Sequence, residues 1–217
     1  MKVSKPRVSL LCLLVLVLSL FYADRPPEER CPLAVKYFHI WKADPKMPNG
    51  AGAAFRAAIQ YFNANRSKIK NTQYLTIIDY TKPSTAKRMY IVNLKTGEIT
   101  AHLVAHGKNS GYTYAVDFSN QVDSLKSCKG FFLTGRKYTG AHGTSLTLYG
   151  LQKRLNDNAL QRGIIIHGSS YVSSSNTCPR GRRVGRSWGC PAVSRGEVDQ
   201  IVNKIKNGSL LYIHGSS

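Results

Sequence analysis

The chain has 217 residues, of which 42% are hydrophobic and 19% are charged, and it contains no low-complexity tract and no repeat of fixed period. This composition indicates one folded domain of ordinary size and excludes a disordered chain and a solenoid. Basic residues outnumber acidic ones by 31 to 11, and the formal net charge is +20. Such a charge predicts a polyanionic partner: nucleic acid, a membrane surface or an acidic polymer.

The N-terminal segment predicts export from the cytoplasm. Three basic residues precede an uncharged apolar run of 15 residues, Val8 to Tyr22, which is typical of a secretory signal peptide. As a helix this run would reach only about 22 Å, which is shorter than the ~30 Å hydrocarbon core of a bilayer. Phe21 occupies a position where signal cleavage prefers a small residue, so an uncleaved inner-membrane anchor is the alternative. Residues 1–23 are therefore predicted to be a signal peptide or an anchor, and either one places the body of the protein in the periplasm or cell envelope.

The predicted elements of the remaining chain begin with a proline-rich, extended lead-in at residues 24–50. Apolar residues at helical spacing then predict an amphipathic helix from about Ala51 to Asn65. Strands are predicted at eight stretches: YLTIID, RMYIVNL, EITAHLVAH, YTYAVDF, GFFLTG, SLTLYGL, GIIIHG and SLLYIH. The KTG stretch between the second and third of these predicts a hairpin turn with Gly97 in the left-handed conformation.

The last predicted helix has start and stop signals of its own. Ser194 and Glu197 match a capping box, and Gly208 is placed to end the helix. Its apolar face is formed by Val198, Ile201, Val202 and Ile205. Residues 51–217 are therefore predicted to form one mainly β domain with two or three helices, as a mixed sandwich or partly closed barrel.

Metal and nucleic-acid functions find little support in the sequence. Beyond the signal segment lie Cys31, Cys128, Cys178 and Cys190, with no CxxC or HxxxH spacing, so we expect no metal and no cofactor. If all four cysteines pair, three connectivities are possible. No nucleic-acid-binding motif is present, and an exported protein would not meet nucleic acid. Anionic cell-envelope material is the predicted partner, and the protein is expected to be a monomer.

The strongest candidate site combines Cys190 with His167. Cys190 stands in GRSWGCPAV, 23 residues after His167, which ends the apolar strand GIIIHG. A cysteine nucleophile needs a nearby base or cation, and backbone N–H groups that stabilise the oxyanion. Pro191 has no N–H, so the donors must come from Gly189 and Cys190. The alternative is an inert buried cysteine beside a core histidine.

Other residues around this site are weaker candidates. His142 lies in a glycine-rich loop before a strand and is a secondary candidate, whereas His102 and His106 are predicted to share a solvated strand face. Arg186 either binds a substrate carboxylate or belongs to a solvated basic loop. The other arginines of that loop are interpreted as solvated: Arg180, Arg182 and Arg183.

His-Gly at 167–168 followed by Ser-Trp-Gly-Cys at 187–190 resembles the signature of the L,D-transpeptidase (YkuD-like) catalytic domain, a family of envelope enzymes that crosslink peptidoglycan. SCKGFFLTG, VAHGKNSG and the stretch from YLTIID to TGEI are similar to its murein L,D-transpeptidase branch, and the resemblance covers roughly Phe55 to His214. Two departures stand out. The commoner motif has His at the position of Trp188, and Arg soon after the cysteine, where this chain has Pro191-Ala192.

The resemblance implies a role for each matched residue. Cys190 attacks the carbonyl after the L-centre of diaminopimelate in a tetrapeptide stem and expels D-alanine, and His167 acts as general base and acid. The carbonyl of Gly168 orients the histidine ring, and the N–H groups of Gly189 and Cys190 stabilise the oxyanion. The acyl pocket is expected to be shaped by Ser187 and Trp188, and the role of the missing histidine is expected to fall to His142 or Arg186.

Three functions are compatible with this site and this resemblance. The first is a transpeptidase, in which the amine of a second stem resolves the thioester. The second is an L,D-carboxypeptidase, in which water resolves it. The third is a basic protein without catalysis that binds the cell wall, and the His167–Cys190 pair argues against it.

Overall fold

The computed structural model describes residues 52–173 and 184–216, which include two α-helices and eight strands. The helices are α1 Gly52–Ala64 and α2 Val198–Ile205. The strands are β1 Tyr74–Asp79, β2 Met89–Asn93, β3 Ile99–His102, β4 Gly130–Gly140, β5 Gly143–Gly150, β6 Ile165–Ser169, β7 Ala192–Ser194 and β8 Leu210–His214. Over these described ranges no helix is long and apolar enough to cross a bilayer. The predicted segments 1–23 and 24–50 lie outside them.

One mixed sheet contains all eight strands, in the order β3-β2-β1-β8-β4-β5-β6-β7. Most neighbours are antiparallel, whereas β1 with β8 and β6 with β7 are parallel. The β2–β3 turn has Gly97 at φ 83°, which confirms the predicted left-handed glycine.

The two edges of the sheet approach each other. Ala105, just after edge strand β3, forms an antiparallel bridge with Ala192 of the opposite edge strand β7, with an N···O distance of 2.8 Å. A second bridge joins Gly107 to Ser187. The sheet is therefore almost closed, which confirms the predicted mainly β, partly closed barrel with two helices.

The helices cover opposite faces of the sheet, with α1 against β1 and β8 and α2 mainly against β5, β6 and β1. Phe55 of α1 makes an edge-to-face contact with Tyr90, at 6.0 Å between ring centroids. The apolar side of α2 instead packs in one cluster with Met89 and Ile91. Because side chains alternate between the faces of a strand, Tyr90 lies on the face that α1 covers, and Met89 and Ile91 lie on the face that α2 covers. Both faces are buried, as expected from the nearly continuous apolar runs of these strands.

One predicted strand is wrong. YTYAVDF, residues 112–118, forms no strand, because the chain instead folds back so that the N–H groups of Val116 and Asp117 both donate to the carbonyl of Ser110. Its alternating apolar residues are exposed, Tyr112 by 52% and Val116 by 66%, whereas Ala115 is buried.

The predicted capping box is also wrong. The Ser194 hydroxyl accepts the Gly196 N–H at 3.2 Å, and the Glu197 carboxylate lies 2.9 Å from His102 Nδ1. A contact between residues 95 positions apart therefore replaces the local one. His102 is buried, so the prediction of a solvated face for His102 and His106 is wrong too.

Candidate active site

His167 lies in the middle of β6 and is only 4% exposed. Its Nδ1 is 3.2 Å from the carbonyl oxygen of Gly168, so we assign the Nδ1 proton to that hydrogen bond. This assignment leaves Nε2 unprotonated and able to accept a proton. Gly168 is thus positioned to orient the ring, although its role in catalysis stays a prediction.

Cys190 is brought alongside the histidine strand by the register of two parallel strands. His167 pairs with Ala192, so Cys190, two residues before Ala192, lies next to Ile165. The Ile165 N–H donates to Cys190 Sγ at 3.5 Å, and Sγ is 3.5 Å from the carbonyl oxygen of Gly163. Within residues 52–173 and 184–216 no hydrogen bond joins Sγ to the His167 ring. Cys190 and His167 therefore belong to adjacent stretches of backbone, and the thiol is held by the segment that leads into the histidine strand.

The environment favours the uncharged form of both groups. Burial raises the pKa of the Cys190 thiol, against the lowering effects of the Ile165 N–H and the positive charge of Arg162. Burial also lowers the pKa of His167, an effect that the Gly168 carbonyl opposes and His142 reinforces. At neutral pH the thiol and the imidazole are therefore both uncharged.

The turn before Cys190 depends on glycine. Gly189 has φ 126°, and a Cβ there would lie 2.8 Å from the carbonyl oxygen of Lys126. The Gly189 carbonyl accepts the hydroxyl of Ser127 at 3.0 Å, which fixes the turn from behind.

Two groups with predicted roles at the site also stabilise this turn. The Gly189 N–H donates to the Ser187 hydroxyl at 3.1 Å, and the Ser187 hydroxyl in turn donates to the Cys190 carbonyl at 2.6 Å. Ser187 is buried. The oxyanion role of the Gly189 and Cys190 N–H groups and the place of Ser187 in an acyl pocket stay predictions.

His142 lies at the tip of the β4–β5 hairpin, and the structure brings it to the site. Its ring stacks on that of His167, with centroids 4.4 Å apart and an interplanar angle of 26°. The β5–β6 pairing produces this contact, because Ser145 is the cross-strand partner of His167. His142 is exposed, so it forms the solvent side of the histidine pair.

Trp188 and Arg186 lie on the other side of the nucleophile turn. Trp188 is 74% exposed, and Lys108 Nζ lies 5.6 Å from the centroid of its ring. Arg186 Nη1 donates to the carbonyls of Lys108 and Gly111, at 2.9 and 3.1 Å. Arg186 is thereby bonded in part to the backbone, whereas Trp188 presents an exposed aromatic ring two residues from Cys190.

The buried pair of Arg88 and His106 supports the turn and was missed in the sequence. Arg88 is fully buried, and its Nη2 lies 2.7 Å from His106 Nδ1. The His106 carbonyl accepts the Ser187 N–H at 2.9 Å, so this pair fixes the entry to the nucleophile turn. Arg88 directly precedes β2 and His106 follows β3, and no spacing pattern in a sequence links two such positions.

Arg162 was missed as well. Its guanidinium lies against Gly189, because a Cβ on that glycine would be 3.3 Å from Nη2. The sequence does show that Arg162 comes directly before Gly163 and the histidine strand. That position alone does not indicate a role, because the contact with Gly189 arises only in the folded chain.

The remaining candidates of the sequence fall into two groups. Cys128 is a buried free cysteine. Outside the described residues lie Cys31 and Cys178, and also Arg180, Arg182 and Arg183. Over 52–173 and 184–216 no group of three or more His, Cys, Asp or Glu side chains is arranged to hold a metal ion.

Comparison with known protein families identifies a matching family. The sequence model of the family described as "L,D-transpeptidase catalytic domain" matches residues 47–214. No curated protein sequence matches the chain.

Three solved structures illustrate the structural similarity. An L,D-transpeptidase from Mycobacterium smegmatis is 11% identical, with 66% of this chain and 59% of that chain covered and a TM-score of 0.41. The helical cell shape determining protein Pgp2 from Campylobacter jejuni is 16% identical, with 69% and 50% covered and a TM-score of 0.42. An L,D-transpeptidase from Stackebrandtia nassauensis is 11% identical, with 83% and 75% covered and a TM-score of 0.41. This chain thus spans only about half to three fifths of the first two proteins.

These structural similarities are low, and the match of the family model over most of the chain is the finding that decides the assignment. The chain belongs to the L,D-transpeptidase catalytic domain family.

Proposed function

We propose that this protein is a cysteine-dependent L,D-transpeptidase that forms crosslinks between peptidoglycan stem peptides through a thioester on Cys190. The observation that carries the proposal is the pairing of the two strands that hold Cys190 and His167. This pairing sets the thiol beside the strand of a histidine whose ring is oriented by a backbone carbonyl. Family membership supports peptidoglycan as the substrate.

The proposed reaction starts from the neutral pair. His167 Nε2 takes the thiol proton as Sγ attacks the carbonyl that follows the L-centre of diaminopimelate in a tetrapeptide stem. The Cys190 N–H stabilises the oxyanion, and protonated His167 returns the proton to the nitrogen of the departing D-alanine. The amine of a second stem then attacks the thioester, His167 removes a proton from that amine, and the thiol is released.

Trp188 supports crosslinking over hydrolysis. Its exposed ring lies two residues from the nucleophile and offers an apolar cover for the acyl group. A site that forms crosslinks must exclude water from the thioester while it admits an amine. The alternative hypothesis, a carboxypeptidase, uses the same Cys190 and His167. It differs only in that water, instead of an amine, resolves the thioester.

The cellular setting is also part of the proposal. The basic, apolar N-terminal segment and the net charge of +20 support a protein exported to the periplasm or cell envelope, where anionic wall polymers are its partners. Contact with the membrane would be limited to the N-terminal segment, if that segment is not cleaved.

Purified cell wall tests the proposal. Incubation of the protein with sacculi rich in tetrapeptide stems should produce dimers joined between two diaminopimelate residues, which mass spectrometry of the digested wall detects. Tripeptide stems without new dimers would favour the carboxypeptidase. If the wall is unchanged and Cys190 does not react with a thiol reagent, the remaining hypothesis is a protein that binds the wall without catalysis.

The stacked histidines predict a pH dependence. Burial and the neighbouring His142 hold the pKa of His167 below its ordinary value of 6.5, so the neutral base persists below that pH. His142→Ala exposes the ring and removes the neighbour, and both changes raise the pKa of His167. We expect the acid limb of the kcat/KM profile to move to higher pH in this variant.

His142→Phe is the matched control, because it keeps an aromatic ring over His167 and removes only the imidazole. Its acid limb should move in the same direction by a smaller amount. An unchanged limb in both variants, or a movement to lower pH, would contradict His167 as the base.

A further inference from the structure

We propose that Arg162 is a positioning residue for Cys190, whose guanidinium holds the nucleophile turn in place and supplies positive charge beside the thiolate formed during attack. The inference depends on the proposed function only through the assignment of Cys190 as nucleophile.

Arg162 is held in one orientation by three acceptors. Nη1 donates to the carbonyl of Ser119 at 2.5 Å, and Nη2 donates to the carbonyl of Lys126 at 2.5 Å and to the Ser124 hydroxyl at 3.1 Å. A guanidinium presents several donors in a rigid plane and can satisfy all three acceptors at once, which a lysine cannot do. The segment 119–126 is therefore tied to the turn that precedes β6.

The same guanidinium lies against the nucleophile turn. A Cβ on Gly189 would be 3.3 Å from Nη2 and 2.8 Å from the Lys126 carbonyl oxygen to which Nη2 donates. The next residue of that segment, Ser127, donates its hydroxyl to the Gly189 carbonyl. On the other side, the carbonyl of Gly163, next to Arg162, lies 3.5 Å from Cys190 Sγ. Arg162 thus connects both stretches of backbone that flank the thiol.

The charge of Arg162 is not neutralised nearby. In the described part of the chain it forms no ion pair with a carboxylate. The titratable groups near Cys190 are Arg162, Cys128, Tyr80, Tyr171 and His167. Burial holds the other cysteine and both tyrosines in the neutral form by raising the pKa of each. Arg162 is therefore the permanent cation of this group, and its effect is to lower the pKa of Cys190.

Alkylation of Cys190 tests this inference without any wall substrate. The full chain and three variants, Arg162→Gln, Arg162→Lys and Arg136→Gln, are treated with iodoacetamide from pH 6 to 10. Peptide mass spectrometry then gives the rate at Cys190 separately from the other cysteines. Arg136 is an exposed arginine of β4 and serves as the matched control.

We expect Arg162→Gln to lower the rate at pH 7.5 by roughly threefold to tenfold, with the midpoint of the profile at higher pH. Arg162→Lys keeps the charge, so its midpoint should stay at that of the unmodified chain, while its rate falls in part because the rigid set of guanidinium donors is lost. Arg136→Gln should stay within about twofold of the unmodified chain, since a distant exposed charge is screened.

Three outcomes would overturn the inference: Arg162→Gln profiles that coincide with the unmodified chain, an equal midpoint shift in Arg136→Gln, and an Arg162→Lys midpoint that matches Arg162→Gln. If Arg162→Gln fails to fold in thermal unfolding, the Arg162→Lys midpoint decides the test, because an unshifted value supports the charge role and a shift to higher pH overturns it. A Cys190 that never reacts in the unmodified chain would overturn the proposed function itself, which is a distinguishable failure.

Discussion

Replacement of Cys190 by serine is expected to reduce product formation by roughly 10⁴-fold or more, because a hydroxyl is a far weaker nucleophile than a thiol at neutral pH. The expected effect on the fold is small. Among the described residues Sγ forms two weak hydrogen bonds of 3.5 Å, one from the Ile165 N–H and one to the Gly163 carbonyl, and serine nearly matches cysteine in shape, so the free energy of unfolding should change by about 1 kcal/mol. Mass spectrometry of muropeptides gives the activity, and thermal unfolding gives the stability.

The matched control is Cys128→Ala. Cys128 is also a free cysteine, but it is buried in the core and takes no part in the proposed reaction. Its variant should keep the chemistry, measured on folded protein. Loss of activity in Cys128→Ala together with retention in Cys190→Ser would reverse the assignment of the nucleophile.

Replacement of His167 by alanine is expected to lower kcat/KM by about 10²–10⁴-fold, the usual loss for a general base. His167 lies on β6 between β5 and β7 and is buried, with Nδ1 held by the Gly168 carbonyl. No other described histidine has both a fixed tautomer of this kind and a place on the strand beside Cys190. The thiol would therefore have to lose its proton to water.

His214→Ala serves as the control for His167. His214 ends β8, where its Nδ1 lies 3.2 Å from the Tyr212 hydroxyl, and it is only half-buried. Activity in this variant should stay within about twofold of the unmodified protein. Equal losses in the two variants would indicate a general effect on the fold and would count against a base at position 167.

The strands were predictable because their signals are local. β1 coincides with the stretch YLTIID, and β8 and α2 lie where the apolar pattern places them. The position of His167 in the sheet and the tight turn at Gly189-Cys190-Pro191 were also predictable, since an apolar run places the first and the glycine–proline flanks mark the second.

The predicted capping box failed because a distant residue took over a group assigned to a local partner. The Glu197 side chain binds His102 instead of capping α2. The alternating apolar pattern of residues 112–118 also led to a wrong strand prediction. Tyr112 and Tyr114 are exposed, and the segment does not join the sheet. Arg88 and Arg162 act through backbone carbonyls, and a carbonyl carries no side-chain signature that a sequence can reveal.

Direct trapping of the thioester is the most decisive measurement. The full chain is mixed with a soluble tetrapeptide muropeptide in the absence of an acceptor amine, quenched in acid and mapped by peptide mass spectrometry. We predict a tripeptide acyl adduct, formed with loss of one D-alanine, on the peptide that contains Cys190. An adduct on any other residue, or turnover that continues in Cys190→Ala, would contradict the proposed mechanism.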